Sequence, residues 1–282
     1  MGLSFRELLP VFARPFARLW YALNPGARIL MYHRVSDRDD YDQLTVSPDN
    51  FEEQIRWLNE NRRLLSLPDL ISAIQNGSAA KNSVAITFDD GYLDNLENAL
   101  PILEKYQVPA TIYVTSDFAA QKISHPRYRS DSKRLHLNWQ EVRSLAQHPL
   151  IRIGSHTKTH PMLSQVPLEQ VTAEIRDSKA DIEQMTGVEV SDFCYPSGNF
   201  TEREERIVRE SGYTNAVTVK PGINNRKTGL FALKRTEITD RDSLDILEQK
   251  LDGAFDIFHW LLDVKREMNF SRQRERKKAE IL

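Results

Sequence analysis

Val84-Ala85-Ile86-Thr87-Phe88-Asp89-Asp90-Gly91-Tyr92 runs from a short apolar stretch into two adjacent carboxylates and then a glycine. The apolar run reads as a buried strand, and carboxylates leaving its end stand where α/β enzymes keep their chemistry. Neighbouring carboxylates repel, and one pKa rises unless a cation or proton intervenes, so the pair points to a metal. Further on, Ile151-Arg152-Ile153-Gly154-Ser155-His156-Thr157-Lys158-Thr159-His160 repeats the plan with a short strand, a glycine and two histidines four apart. On a helical turn those imidazoles would lie about 5–6 Å apart on one face, close enough to hold one ion. On the residues alone, Asp90, His156 and His160 make a two-nitrogen, one-oxygen set with an open position, as in a catalytic zinc site. Asp89 is then free to act as a base. The plainer reading makes Asp-Asp-Gly an ordinary turn and the histidine pair a solvated helix face, but both follow an apolar strand, which favours the metal.

Outward from these stretches the chain alternates. Strand candidates lie near 29–33, 84–88, 110–115, 151–154, 192–196, 214–219 and 232–236, with helical patterns at 49–62, 92–106, 139–147, 168–185, 201–211 and 241–262. Such alternation predicts a parallel sheet or a barrel. Ser47-Pro48-Asp49 is a helix start signal, followed by an apolar stripe of Phe51, Ile55 and Leu58. His33, Asp89, Asp90, His156 and Tyr195 all fall at strand ends, so one mouth of one barrel can gather them. The 282 residues, 40% of them hydrophobic, suit one α/β barrel with extensions. A net charge of −2 gives no sign of a nucleic-acid partner, and one cysteine excludes an intrachain disulfide framework.

The chain resembles the polysaccharide deacetylases with the NodB homology domain, carbohydrate esterase family 4. Thr87-Phe88-Asp89-Asp90-Gly91 is similar to the first family motif, and His156-Thr157-Lys158-Thr159-His160 to the second. The resemblance runs from about Arg28 to about Ile238. It implies Asp89 as catalytic base, Asp90, His156 and His160 as metal ligands, and a distorted (β/α) barrel of about seven strands; periodicity alone does not separate that from an open sheet. The third motif departs: Phe193-Cys194-Tyr195-Pro196-Ser197-Gly198 has Cys194 where the family has arginine and Ser197 where it has tyrosine. This Tyr-Pro-x-Gly form resembles the branch of the poly-N-acetylglucosamine deacetylases, in which an early Tyr-His motif supplies the general acid. Tyr32-His33 matches it, making His33 the implied acid, although a lone histidine beside a strand is more often structural.

Tyr92, Trp139, Tyr195, Pro196 and Ser197 are the substrate-contact candidates: the rings offer flat apolar faces to a sugar, and a backbone N–H near Ser197 can serve an oxyanion. His259, within Phe258-His259-Trp260-Leu261, reads as packing. The loop from Gln121 to His136 carries Lys122, Arg127, Arg129, Lys133 and Arg134 against Asp131; it reads as a solvated loop or as an anion-attracting cover over the mouth.

The ends form separate segments, 1–27 and 263–282, around a catalytic domain at 28–262. Leu8, Leu9, Phe12, Phe16, Leu19, Trp20 and Leu23 fall on one side of a helical wheel, opposite Arg14, Arg18 and Tyr21, as in an interfacial helix. Pro10 and Pro15 count against one unbroken helix. The tail adds Lys265, Arg266, Arg272, Arg274, Arg276, Lys277 and Lys278, a basic cluster able to hold anionic lipid. The alternative packs the first helix on the barrel and leaves the tail solvated. No run spans a bilayer, and Arg14 and Arg18 interrupt a signal-peptide core, so the expected location is the cytoplasm, with peripheral contact on the inner face of the membrane under the interfacial-helix reading.

Together with the resemblance, these residues imply a metal-dependent hydrolase removing an N-acetyl group from an amino sugar of a bacterial glycan or its lipid-linked precursor. The metal expected is zinc, with cobalt, nickel, manganese or iron admitted by the same donors. A deformylase or small-amide hydrolase, or a non-catalytic glycan-binding descendant that lacks the arginine of the third motif, are the alternatives.

Overall fold

The computed structural model describes residues 5–37, 42–78, 82–128, 134–256 and 265–273, with side chains from Arg14 onward. Seven strands form one curled sheet: β1 (Arg28–Tyr32), β2 (Ser83–Phe88), β3 (Ala110–Val114), β4 (Ile151–Ser155), β5 (Asp192–Cys194), β6 (Asn215–Val217) and β7 (Thr236–Glu237). Their order is β7-β1-β2-β3-β4-β5-β6, parallel throughout, with the short strand Arg63–Leu64 added beside the start of β2. β1, β2 and β3 are buried along their whole length. Helices cover a parallel sheet on its outer face, which is why these segments read as continuous apolar runs rather than alternating ones.

One short segment joins the two edges of the sheet. Val217 of β6 bridges Leu233 in parallel, and three residues later Thr236 pairs with Leu30 of β1. Between them the Arg235 N–H donates to the Lys220 carbonyl (2.9 Å), so Leu233–Glu237 crosses from one edge to the other. This is the distorted (β/α) barrel of about seven strands that the family resemblance implies, and the crossing delivers Arg235 to its axis.

The helices follow their start signals. Pro48–Asn61 begins at Ser47, whose hydroxyl accepts from the Asn50 N–H, and it buries Phe51, Ile55 and Leu58. Leu67–Asn76, absent from the sequence reading, is capped by Ser66 and ends at Gly77 with φ of 71°, a backbone state glycine adopts without strain. The pattern over 92–106 predicts one helix, but the structure has a π-helical turn, Asn95–Ala99, followed by Leu100–Tyr106. Pro101 has no N–H for the Glu97 carbonyl, and the ladder slips so that the Leu100 N–H reaches Asn95.

The first helix, α1 (Phe5–Leu23), is continuous across Pro10 and Pro15, contrary to the expectation of a break. Its second half is tied down by ion pairs: Arg14 and Arg18 to Asp252 (2.8 and 2.7 Å), and Arg14 to Glu248 (2.9 Å). The Tyr21 hydroxyl bonds Asp256. The polar side of α1 therefore faces the barrel, while Phe16, Leu19, Trp20 and Leu23 are 76, 63, 62 and 72% exposed. No helix among the described residues is long and apolar enough to cross a membrane. His259 and the tail beyond residue 273 lie outside the described residues.

Candidate active site

At the carboxyl end of the strands, His33 follows β1, Asp89 and Asp90 follow β2, and His156 follows β4; they line one cavity of about 330 Å³ together with His160 and Ser197. A volume in this range suits a small ligand. Among the described residues, four of the six non-glycine positions with positive φ, namely Asp90 (69°), Thr157 (67°), His160 (61°) and Ser197 (54°), lie at this end. Strained backbone of this kind persists where surrounding structure enforces it, and it clusters at functional sites.

Asp90 Oδ1 is buried and has no hydrogen-bond partner among the described residues. It lies 3.5 Å from His156 Nε2 and 3.3 Å from His160 Nε2. Burial opposes its charge, but the His160 and His156 imidazoles hold the carboxyl well below the usual carboxylate range. Burial likewise lowers His156 and pushes His160 down to about 4. The result is one ionised carboxylate facing two neutral imidazoles, the protonation state that metal ligands require. His156 Nδ1 lies 2.8 Å from the Cys194 carbonyl, so that nitrogen carries the proton and Nε2 keeps its lone pair for the cavity. A carboxylate oxygen left without a partner in such company costs free energy, and a divalent cation fits it.

The two histidines do not sit on a helical turn as their spacing suggests. Residues 156–160 form a loop, turned at Thr157 and His160 through the left-handed region. Glu174, from the helix Leu168–Thr186, accepts from the Lys158 and Thr159 N–H groups (2.9 and 2.8 Å), and the His160 N–H donates to Thr157 Oγ1 (3.0 Å). Those side-chain acceptors take the N–H groups a helix would have used, and the ring centroids still come within 4.8 Å.

Asp89 has a different environment. The fully buried Arg235 donates to both of its oxygens (2.6 and 2.7 Å), to Thr87 Oγ1 (3.2 Å) and to the Thr218 carbonyl (2.7 Å). Burial would raise the Asp89 pKa, but the guanidinium holds it below the usual value. Cys194 Sγ lies 3.2 Å from the same guanidinium and 3.5 Å from Asp89 Oδ2, a neutral thiol whose pKa burial drives up. Asp89, His156 and Cys194 also cluster closely enough to suggest a metal, yet the guanidinium already fills that space. Arg235 thus supplies, from the segment before β7, the arginine that position 194 lacks. The sequence alone does not single it out; the available signal is the charged pair Lys234-Arg235 inside the strand candidate 232–236.

His33 Nε2 stands 4.0 Å from Asp89 Oδ2. Its backbone is held from both sides: Asn95, displayed by the π-helical turn, donates to the His33 carbonyl (2.8 Å), and Asp94 pins Arg34 and the Val35 N–H (2.9 and 3.0 Å). Of the aromatic and loop candidates, only Ser197 lines the cavity among the described residues. Tyr92 is buried and stacked on His136, Tyr195 is buried and stacked on Phe200, Pro196 is buried, and Trp139 packs against the main core at a helix start.

The 121–136 loop reaches the mouth through His125 and Arg127. Its described cations are already paired: Lys122 with Asp117 (3.1 Å), Arg127 with Asp42 (3.1 Å) and Arg134 with Glu141 (2.6 Å). The tail helix, residues 265–273, also comes to this end, where Arg266 lines the cavity and Glu267 pairs with Lys220 (2.7 Å). Residues 129–133 lie outside the described ones.

The family profile described as Polysaccharide deacetylase matches residues 76–216. The polysaccharide-deacetylase-like protein YxkH of Bacillus subtilis (strain 168) is 32% identical over 213 residues, spanning 75% of this chain and 71% of that protein. The poly-β-1,6-N-acetyl-D-glucosamine N-deacetylase of Staphylococcus aureus (strain MSSA476) is 22% identical over 245 residues, 81% of this chain and 83% of that one. Among solved structures, the Streptococcus pyogenes deacetylase PplD in complex with acetate matches with a TM-score of 0.71 at 27% identity, covering 80% of this chain and 98% of that chain.

Proposed function

We propose that this chain, which belongs to the polysaccharide deacetylase family, hydrolyses the N-acetyl groups of N-acetylglucosamine residues in a β-1,6-linked glycan. The observation that carries the reading is the buried Asp90 Oδ1, which lies between two imidazole nitrogens and has no hydrogen-bond partner among the described residues. Asp90, His156 and His160 would hold a divalent ion, zinc being favoured by the donor set. When bound, such an ion lowers the pKa of a water and polarises the acyl oxygen. Asp89, fixed by Arg235, accepts the proton of the attacking water; His33 gives a proton to the departing amine as the C–N bond breaks. The backbone N–H at Ser197 donates to the oxyanion. Acetate and a free amino sugar result. The choice of glycan rests on the staphylococcal relative, whose name specifies that polymer.

The test is acetate release from poly-β-1,6-N-acetylglucosamine oligomers, with and without chelator. Release that stops on chelation and returns with zinc is the expected result. Release from N-formyl sugars or small amides but not from the oligomers would overturn the substrate assignment.

We further propose that α1 rests on a lipid surface through Phe16, Leu19, Trp20 and Leu23, whose stripe continues in sequence through Leu8, Leu9 and Phe12. α1 borders the starts of β1 and β2, lining a cavity with Arg28 and Ser83, at the end opposite the active site. A membrane there leaves the mouth facing away, which favours a polymer in solution over a lipid-linked precursor. Since Arg14 and Arg18 are engaged with Asp252, liposome flotation should depend mainly on the apolar face and only weakly on salt. Changing Phe16 and Trp20 to Ser should abolish flotation without loss of thermal stability, because neither packs on the barrel. A wild type that ignores liposomes would contradict the proposal.

A further inference from the structure

His125 is half-buried at the mouth, and one of its imidazole nitrogens lies within 4.8 Å of an Asp90 carboxylate oxygen and a His160 nitrogen. By donor count alone, Asp90, His125 and His160 would make as good a metal set as the one containing His156. We propose instead that His125 is a substrate-binding residue, whose Nε2–H donates to the acyl oxygen of the bound N-acetyl group and of the acetate product. This inference rests on the deacetylase reading above.

Hydrogen bonding separates the roles of the two histidines. His125 Nδ1 accepts the backbone N–H of Arg127 (3.3 Å), so in the neutral ring the proton sits on Nε2, leaving a donor and no lone pair there. His156 has the opposite arrangement, with Nδ1–H on the Cys194 carbonyl and Nε2 open to a cation. Two imidazoles at one site are thus set in opposite tautomers by their backbone partners.

The donor is also held in place. The His125 backbone N–H donates to His136 Nε2 (3.2 Å), and His136 Nδ1 lies 3.2 Å from the carbonyl of Asp90. Only one neutral tautomer satisfies both contacts: His136 donates from Nδ1 to Asp90 and accepts at Nε2 from His125. Through this buried imidazole the loop is fastened to the same residue that faces the metal position. The His125 ring packs at centroid distances of 5.3 Å from His160, 5.8 Å from Tyr128 and 6.2 Å from Phe118. Arg127, which supplies the N–H to Nδ1, is anchored by Asp42 (3.1 Å). A donor that needs no reorganisation at the moment of binding is the arrangement that stabilises charge developing on an oxygen.

The test uses the full chain loaded with zinc, comparing wild type with His125→Phe, which keeps an aromatic ring without a donor, and His125→Gln, which keeps an N–H. Metal content by elemental analysis should stay at one equivalent in all three. Acetate affinity, read by competitive inhibition and by calorimetry, should fall about ten- to a hundred-fold in His125→Phe, the range for losing a hydrogen bond to a charged group, and recover in part in His125→Gln. Loss of zinc from His125→Phe would show a ligand and overturn the proposal, as would unchanged acetate affinity. Failure of the deacetylase reading looks different: the wild type itself would then neither retain zinc nor release acetate.

Discussion

Changing Arg235 to Met is expected to lower unfolding stability by about 3–5 kcal/mol, the usual cost of leaving a buried charge without its partner. The guanidinium is fully buried and its two short bonds to Asp89 are the main compensation for that carboxylate. Cys194 cannot take over, because its thiol is neutral and meets Asp89 at 3.5 Å. Without the guanidinium the Asp89 pKa rises with burial, and below that pKa the base is protonated. Turnover should therefore fall together with stability, while metal binding survives because Arg235 touches none of the three proposed ligands. Asp89→Asn should destabilise for the mirror-image reason, stranding a buried arginine. A double variant should consequently lose less stability than the two single losses added, a coupling that denaturant titration of all four proteins measures. Additive losses would mean the pair is energetically independent despite its geometry.

How much of this was legible in the sequence depends on distance along the chain. Asp89-Asp90 and His156-x-x-x-His160 are local patterns leaving apolar strands, so their place at one mouth follows from the alternation of elements. Their loop conformation does not, because Glu174, which accepts the Lys158 and Thr159 N–H groups, arrives from a later helix. Arg235 is 146 positions from Asp89; the substitution at Cys194 marks a missing cation, but only barrel closure shows which residue replaces it. Tyr92, Trp139 and Tyr195 have the composition of a sugar platform, but a strand end offers an aromatic ring the core as well as the cavity, and only packing shows which one it takes. For α1 the amphipathic pattern is plain from the wheel, whereas the face that turns inward is decided by Glu248, Asp252 and Asp256, more than two hundred positions away.

The two ends of the barrel carry different segments of the chain. The apolar stripe of α1 and the basic tail read in sequence as two parts of one attachment surface, but the helix 265–273 belongs to the mouth and α1 to the opposite end. One flat surface cannot engage both at once: Arg266 lines the cavity at the mouth, away from α1.

In the proposed mechanism, Asp90, His156 and His160 hold a catalytic divalent ion while Asp89 stays outside its coordination sphere. The most direct measurement is anomalous scattering at the zinc edge from zinc-soaked crystals of the wild type, Asp90→Asn and Asp89→Asn, with elemental analysis of the same samples. A single peak is expected in the wild type, within bonding distance of Asp90, His156 and His160. No peak is expected in Asp90→Asn, since two ligands seldom retain the ion. Asp89→Asn should keep the peak while turnover falls about 10²–10⁴-fold, the usual contribution of a general base. A peak between Asp89, His156 and Cys194, or equal loss of zinc from both variants, would overturn this assignment of ligands and base.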